Sequence, residues 1–345
     1  MAGETKIRQY KKGDEVRIKE LIKSSSRPVT IQEWNWRFLE NPFGEPIILI
    51  AESPDGELVG HIGAFPMELK IGETIVKAYQ AIDFVVSEEF REKGIFTRLF
   101  RKGLEIVRRE KLPSFGFTNR EAMNAIGKKT NLRSVLGMQQ YVKLFNSVPL
   151  LKLLGIEQTP KFLKKSLDAV VQIFFGGKVS TKPQKLKFEK IKVFGAEFDR
   201  IAGKIDANYN MAVKRSSKYL NWRFVGKPNN NYELFAIKKD RVLLGYVVLK
   251  LGKTSGQIVD LFFKEDESVL LETLGFCEEF LRGKGKSSIS FGIYCKWVEE
   301  RLFGARYVKN ILSVKPRFFI DDIRAQRLGK KLGRAYLTIG DTDWA

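Results

Sequence analysis

The chain is poor in the residues that carry redox and metal chemistry. It has two cysteines, Cys277 and Cys295, and one histidine, His61, among 345 residues. Two cysteines without paired spacing exclude a disulfide framework and a structural zinc site, and a reducing cytosol is the expected compartment. A lone histidine on a strand, with no triad partner or metal set around it, is expected to be structural. Cys277, in a helical pattern, and Cys295, after a strand, are most simply core residues. No apolar run approaches the ~20 residues needed to span a bilayer. The start Met1-Ala2-Gly3-Glu4 lacks the apolar stretch of a secretory signal, so a cytoplasmic protein is expected.

Acidic residues are also in short supply: 40 Asp and Glu face 61 Lys and Arg, a net charge of +21. Such a balance suits nucleic acid, an anionic membrane surface or a polyanionic ligand. The basic residues are scattered, with no arginine-rich tail and no nucleic-acid signature, so nucleic acid is not the expected partner. A lysine-rich surface of a heat-adapted protein gives the same excess. Hydrophobic residues, at 43%, exclude a disordered chain, and the length suits two domains with a core each.

What is present is a repeat. Trp36-Arg37-Phe38, Pro42, Ala51, Asp55 and Gly60 reappear as Trp222-Arg223-Phe224, Pro228, Ala236, Asp240 and Gly245. The Trp-to-Pro, Ala-to-Asp and Ala-to-Gly spacings are the same in both. Each copy then sets an aspartate in an apolar strand, Asp83 in Ala81 to Val86 and Asp260 in Ile258 to Phe263. The pattern predicts two copies of one α/β fold. Three segments follow: a first domain over 1–145, a connector over 146–186 and a second domain over 187–345.

Within the first copy, periodicity and turn residues predict strands at Lys6 to Tyr10, Ile47 to Glu52, Glu57 to Phe65, Thr74 to Ser87 and Ser114 to Thr118. Helices are predicted at Asp14 to Lys23, Ile31 to Leu39, Gly94 to Lys111 and, shorter, near Arg120 to Lys128. The long strand ending at Ser87 runs into Glu88-Glu89-Phe90-Arg91-Glu92-Lys93-Gly94-Ile95-Phe96 and then a helix. An Arg-x-x-Gly turn there exposes backbone N–H groups at a helix N-terminus, an arrangement that binds phosphate.

This order of elements, with Arg91-x-x-Gly94-x-Phe96 in the loop, resembles the GNAT acyltransferase superfamily, whose usual motif is Arg/Gln-x-x-Gly-x-Gly/Ala. Phe96 departs from it at the last position. The tandem resembles double-GNAT proteins, so the expected fold is α/β with two GNAT-like domains, each a mixed, mostly antiparallel twisted sheet flanked by helices. The resemblance implies acyl transfer, with acetyl-CoA or another acyl-CoA as donor and a small-molecule primary amine as acceptor, an amino sugar or an amino-acid-like compound. It places Phe84, Val85 and Val86 beside the thioester and pantetheine, the backbone of Arg91, Lys93, Gly94, Ile95 and Phe96 on the pyrophosphate, and Asn119 at the family's Asn-x-x-Ala step with Ala122. Where the family often has a tyrosine that protonates the thiolate, this chain has Ile126; Tyr141, Tyr79 or solvent stands in. No metal is implied.

Asp83 is the first candidate for a base or for orienting the amine, with a strand carboxylate paired to a basic side chain as the structural alternative. Trp34, in a Trp-x-Trp pair found only in the first copy, is the candidate for lining the substrate cleft. The Trp-Arg-Phe segments, present twice, are read as packing. In the second copy Lys264-Glu265-Asp266-Glu267 replaces the phosphate loop, and its carboxylates would repel phosphate. The connector, with Phe162, Leu163, Val170, Ile173 and Phe174 among lysines, reads as an amphipathic helix. It would rest on an anionic membrane as a peripheral contact, or pack between the two copies. The alternative functions are a basic nucleic-acid-binding protein and a non-catalytic acyl-CoA sensor on the same scaffold.

Overall fold

A computed structural model describes residues 4–23, 29–119, 123–124, 126–127, 134–156, 158–176, 185–322, 325 and 334–342. Of the short helix expected from Arg120 to Lys128, only Met123, Asn124, Ile126 and Gly127 are described, all helical; Arg120, Ala122 and Lys128 lie outside.

The first copy opens with β1 (Lys6–Gln9), α1 (Glu15–Lys23) and α2 (Ile31–Phe38). Thr30 caps α2 reciprocally with Glu33, a capping box that fixes where the helix starts. β2 (Ile47–Glu52), β3 (Leu58–Ile71) and β4 (Thr74–Val86) then form an antiparallel meander with β1 on its edge. Gly72, at φ +61°, makes the tight turn between β3 and β4. α3 (Ile95–Arg109) crosses over to β5 (Ser114–Thr118), which pairs parallel with β4. α3 buries Ile95, Leu99, Phe100, Leu104 and Val107 in a small core of its own on one face of the sheet. Gly60 permits that contact, because a Cβ there would stand 3.0 Å from Ile95 and Leu99. α1 and α2 cover the opposite face within the main core.

After β6 (Ser134–Gly137) and β7 (Gln139–Leu144) come the connector helices α4 (Val148–Leu153) and α5 (Lys161–Phe175). The second copy repeats the plan. β8 (Lys187–Lys190), α6 (Ala196–Asp206), β9 (Met211–Val213) and α7 (Ser217–Leu220) lead into β10 (Tyr232–Lys239), β11 (Val242–Leu251) and β12 (Gly256–Phe263). α8 (Glu267–Gly283) returns the chain to β13 (Ser288–Tyr294), parallel to β12 as β5 is to β4. α9 (Lys296–Gly304), β14 (Val308–Lys309), β15 (Arg317–Asp321) and β16 (Ala335–Thr338) complete the described chain.

The two copies share one continuous sheet. β3 pairs with β9, β9 with β16, and β16 with β13. Strands are also exchanged: β15 from the C-terminal region pairs with β5 and β6, whereas β7 pairs with β13. The repeated tryptophans meet at this junction. Trp36 and Trp222 stack with ring centres 4.9 Å apart. Each indole N–H donates to the other's backbone carbonyl, at 2.9 and 3.2 Å. A reciprocal pair of this kind is the mark of a local two-fold relation, and it gives the Trp-Arg-Phe repeat its packing role.

The connector does not pack between the copies as one reading of the sequence had it. Val171 is the only fully buried side chain of α5. Asp168 accepts from the backbone N and hydroxyl of Ser147 at 2.6 Å, and Gln172 donates to the Phe145 carbonyl at 2.6 Å. Those polar ties hold one edge of the helix and leave its apolar stripe outside.

Candidate active site

β4 is bulged where the resemblance puts the reacting carbonyl. His61 of β3 pairs with Val85, but Gly63 pairs with Ile82, so β4 carries one extra residue between those points. The bulge centres on Asp83, which adopts a left-handed φ of +53°, a conformation aspartate tolerates better than most side chains. On its other edge β4 pairs with β5 only from Tyr79 to Ala81. Past Ala81 and Gly116 the strands diverge, and among the described residues the β5-facing edge from Ile82 to Val86 has no strand partner.

β4 then passes Ser87 and a single 3-10 turn at Glu88–Phe90 into the loop before α3. Glu92 at φ +65° and Gly94 at φ +77° are both left-handed. Left-handed residues in such a loop aim successive N–H groups to one side, and the first N–H groups of α3 have no intrahelical acceptor. A Cβ on Gly94 would meet nothing within 4 Å, so the approach is open. The hydroxyls of Ser87 and Thr97, before and after this loop, are buried without a protein partner. Such orphaned donors fit a phosphate-bearing group. Arg91 reaches Glu88 at 2.9 Å, and the Lys93 ammonium stands 4.5 Å from the centre of the Phe90 ring. Ile95 is buried in the α3 core. Phe96 packs on Phe84, centre to centre 5.8 Å, and on Phe100 at 6.0 Å. The bulky last position of the motif is thus absorbed by an aromatic cluster between α3 and β4. Asn119 is exposed at the end of β5, and its carbonyl accepts from Met123 N at 3.1 Å.

Asp83 does not stand alone. Nη1 of Arg37, on α2, reaches both its carboxylate oxygens, at 3.0 and 2.8 Å, and both side chains are about nine-tenths shielded from solvent. His61 is buried beside them, with neither ring nitrogen hydrogen-bonded to protein. Burial pushes its imidazole down to about 4, the charge of Asp83 and the nearby Leu49 backbone raising it and the charge of Arg37 lowering it. Trp34 is a correction to the sequence reading. It is fully buried, 5.6 Å from Tyr10 and 5.0 Å from Phe38 between ring centres, in the core of the first copy. Neither tyrosine offered as the acid points to the bulge by its hydrogen bond: Tyr79 donates to the Glu45 carbonyl and Tyr141 to Glu299. Ile126 is fully buried.

The junction between the copies holds a narrow crevice of about 20 Å³, room for about one water, lined among others by Trp36, Arg37, Gln80, Arg223, Lys227 and Asp341. Gln80 is buried, with its Nε2 donating to the Asp341 carbonyl at 3.0 Å and its Oε1 unpartnered. Arg223 donates to the carbonyls of Gly340 and Thr342. Burial, then the charges of Arg223, Lys250 and Arg37, push the Lys227 ammonium down to about 6. Sequence reading missed Gln80 and Lys227, which no motif marks. Arg37 and Arg223 were in view as part of the repeat, but their partners were not.

The same place in the second copy is filled. Asp266 caps α8, accepting from the backbone N of Ser268 and Val269 at 2.9 and 3.2 Å. β16 and the turn Ile339–Asp341 enter the divergence between β12 and β13, where Thr338 donates to Asp260 at 2.9 Å. Arg215 ties Asp260 to Asp341, at 3.2 and 2.8 Å. A Cβ on Gly340 would lie 3.0 Å from the Val259 carbonyl. Among the described residues no group of three or more His, Cys, Asp or Glu side chains is placed to hold a metal. No described helix is long and apolar enough to cross a membrane.

Residues 6–117 match the family model described as the acetyltransferase (GNAT) domain. No curated protein matches the chain in sequence. Solved structures share its fold at low identity. A probable N-acyltransferase from Enterococcus faecalis is 12% identical over 95% of this chain and 74% of its own, with a TM-score of 0.65. A GCN5-related N-acetyltransferase from Anabaena variabilis is 9% identical over 92% and 72%, also at 0.65. Saccharomyces cerevisiae N-myristoyltransferase with bound myristoyl-CoA is 12% identical over 93% and 83%, at 0.61. Residues 6–117 thus form a GNAT acetyltransferase domain, and nearly the whole chain shares the fold of the solved N-acyltransferases.

Proposed function

We propose that the chain is an acyl-CoA-dependent N-acyltransferase that acts on a primary amine, with one donor site in the first copy. The observation that carries this reading is the conjunction of a bulged β4, its divergence from β5 and a left-handed turn at the start of α3, all within residues 82 to 97. Acyl-CoA would supply the thioester carbonyl that the amine attacks. The backbone of Arg91, Lys93, Gly94, Ile95 and Phe96 would hold its pyrophosphate, where the helix dipole favours negative charge. The edge from Phe84 to Val86 would lie along the pantetheine and thioester and offer a backbone N–H to the developing oxyanion. Asn119 would meet the pantetheine from β5.

Asp83 is the proton acceptor in this reading. A carboxylate has about four lone-pair positions, so Arg37 leaves room for a water or an amine N–H. Arg37 fixes the carboxylate on the bulge, and positioning of that kind accounts for much of the rate in a direct transfer. The acceptor would approach the bulge from the junction between the copies as the crevice opens; there Gln80 Oε1 can take an N–H, Arg223 suits an acidic group, and Lys227, pushed down to about 6, would regain its proton beside one. That favours an amino-acid-like amine over an uncharged amino sugar. Acetyl is the expected acyl group.

The test is thermal stabilisation by acetyl-CoA, myristoyl-CoA and free coenzyme A, followed by thiol release with a panel of amines. At ligand 100 times Kd a single site should add about 2.7 kcal/mol of stability. No shift with any of the three at millimolar concentration would sink the proposal. A shift with no thiol release from any amine would leave an acyl-CoA sensor.

A further inference from the structure

The connector between the copies carries a surface that acyl transfer does not use. Leu153 and Leu154, at the end of α4, are 63% and 68% exposed. Phe162, Ile173 and Phe174 of α5 are 74%, 72% and 69% exposed. At 3.6 residues per turn, Phe162, Val170, Ile173 and Phe174 fall within one third of the helix circumference. Asp168, Val171 and Gln172 fall on the opposite half, and those are the residues tied to the body of the protein. The apolar stripe is therefore the outward face, and among the described residues nothing covers it. Single exposed apolar side chains are ordinary on a soluble surface, but a contiguous cluster of large ones marks a contact site.

Its occupant is indicated by charge. Lys152, Lys161, Lys164 and Lys165 are all exposed on the same two helices. The one carboxylate of α5, Asp168, is engaged by Ser147. A second copy of this chain would bring the same net charge of +21, which opposes self-association. Nucleic acid would match the charge but offers no apolar phase for Phe162 and Ile173. An apolar face with lysines on the polar side of the same helix matches an anionic lipid surface, where acyl chains receive the rings and the long lysine side chains reach the headgroups. We propose that α4 and α5 form an interfacial anchor that seats this protein on an anionic phospholipid bilayer. The anchor is independent of the donor site, so its failure would leave the proposed activity standing.

The test is co-sedimentation of the full chain with vesicles of phosphatidylcholine alone and of phosphatidylcholine mixed with phosphatidylglycerol. The expected result is binding to the anionic vesicles that weakens as salt rises, with at least tenfold less on the neutral ones. A Phe162→Ser/Ile173→Ser/Phe174→Ser variant should lose at least tenfold in vesicle affinity at an unchanged melting temperature, because those side chains support no packing. A Lys161→Gln/Lys164→Gln/Lys165→Gln variant should lose affinity for the anionic vesicles alone. Equal binding to both vesicle types, full binding by the serine variant, or a wild-type dimer that the serine variant dissolves would each overturn the proposal.

Discussion

Gly94 separates charge from shape at the proposed pyrophosphate site. Its φ of +77° is left-handed, and a Cβ there has open space on every side. Asparagine and aspartate both visit that conformation, at a backbone cost of about 1–2 kcal/mol at most. α3 itself is secured by five buried side chains, Ile95, Leu99, Phe100, Leu104 and Val107, so both variants should fold. They differ by one negative charge at the mouth of the N–H cradle. Two unit charges ~4 Å apart interact by about 1 kcal/mol in water and about 4 kcal/mol near a protein surface. Gly94→Asp should therefore weaken coenzyme A binding roughly fivefold to a thousandfold relative to Gly94→Asn. Calorimetric titration of both variants at two salt concentrations measures the difference, which should shrink as salt rises. Equal affinities in the two variants would refute the reasoning and move the cofactor elsewhere.

Asp83→Asn keeps the shape and the Arg37 contact but removes a proton acceptor; turnover at neutral pH should fall by roughly 10²-fold with little change in coenzyme A affinity, and full activity would eliminate the role. Trp222→Ala removes one half of the reciprocal stack at the junction and should cost about 3–5 kcal/mol in urea unfolding; a loss under 1 kcal/mol would mean that the strand exchange alone holds the copies together. His61 is held neutral in the fold, while an unfolded histidine protonates below its ordinary pKa of 6.5, so the unfolded state binds the extra proton between pH 6.5 and about 4. Stability should thus decline as pH falls through that window, by roughly 3 kcal/mol from this group, and His61→Met should flatten the decline; an equally steep profile in the variant would assign it to other groups. Coenzyme A should titrate to one equivalent per chain, and two equal sites would contradict the filling of the second copy by Asp266 and Gly340.

Local pattern reached most of the fold. β1, β2, β4 and β5 and helices α1 to α3 stand within two residues of their expected limits. β3 was expected to stop at Phe65, before Pro66, yet it runs on to Ile71. β2 pairs with β3 only as far as Ala64, and the pairing of β3 with β9 begins at Leu69, so Pro66 lies where that edge needs no donor. The exchange of β7 and β15 between the copies left no local trace, since each strand is apolar enough to suit either sheet. Trp34 and Trp36 show how far a motif can mislead. Two residues apart on a helix, they point in nearly opposite directions. Trp36 recurs as Trp222 because it meets its own counterpart across the junction, whereas Trp34, unmatched in the repeat, fills the first copy's core.

The paired aspartates show how one ancestral plan supports two roles. Asp83 and Asp260 sit at equivalent bulges, each opposite a register shift in the neighbouring strand. Around Asp260 the chain has closed every route: Arg215, Tyr246 and Thr338 take its oxygens, and the C-terminal turn occupies the space between β12 and β13. Such a buried network fixes geometry and leaves nothing for a ligand to satisfy. Among the described residues Asp83 pairs with a single guanidinium, and no strand fills the gap between β4 and β5 beside it. The same carboxylate is thus a structural tie where the fold supplies its own partners and a candidate reagent where it does not. The division of labour follows from what fills each gap, so moving the C-terminal turn, by Gly340→Val against the Val259 carbonyl, should loosen the second copy without creating a second donor site, because Asp266 still occupies the start of α8.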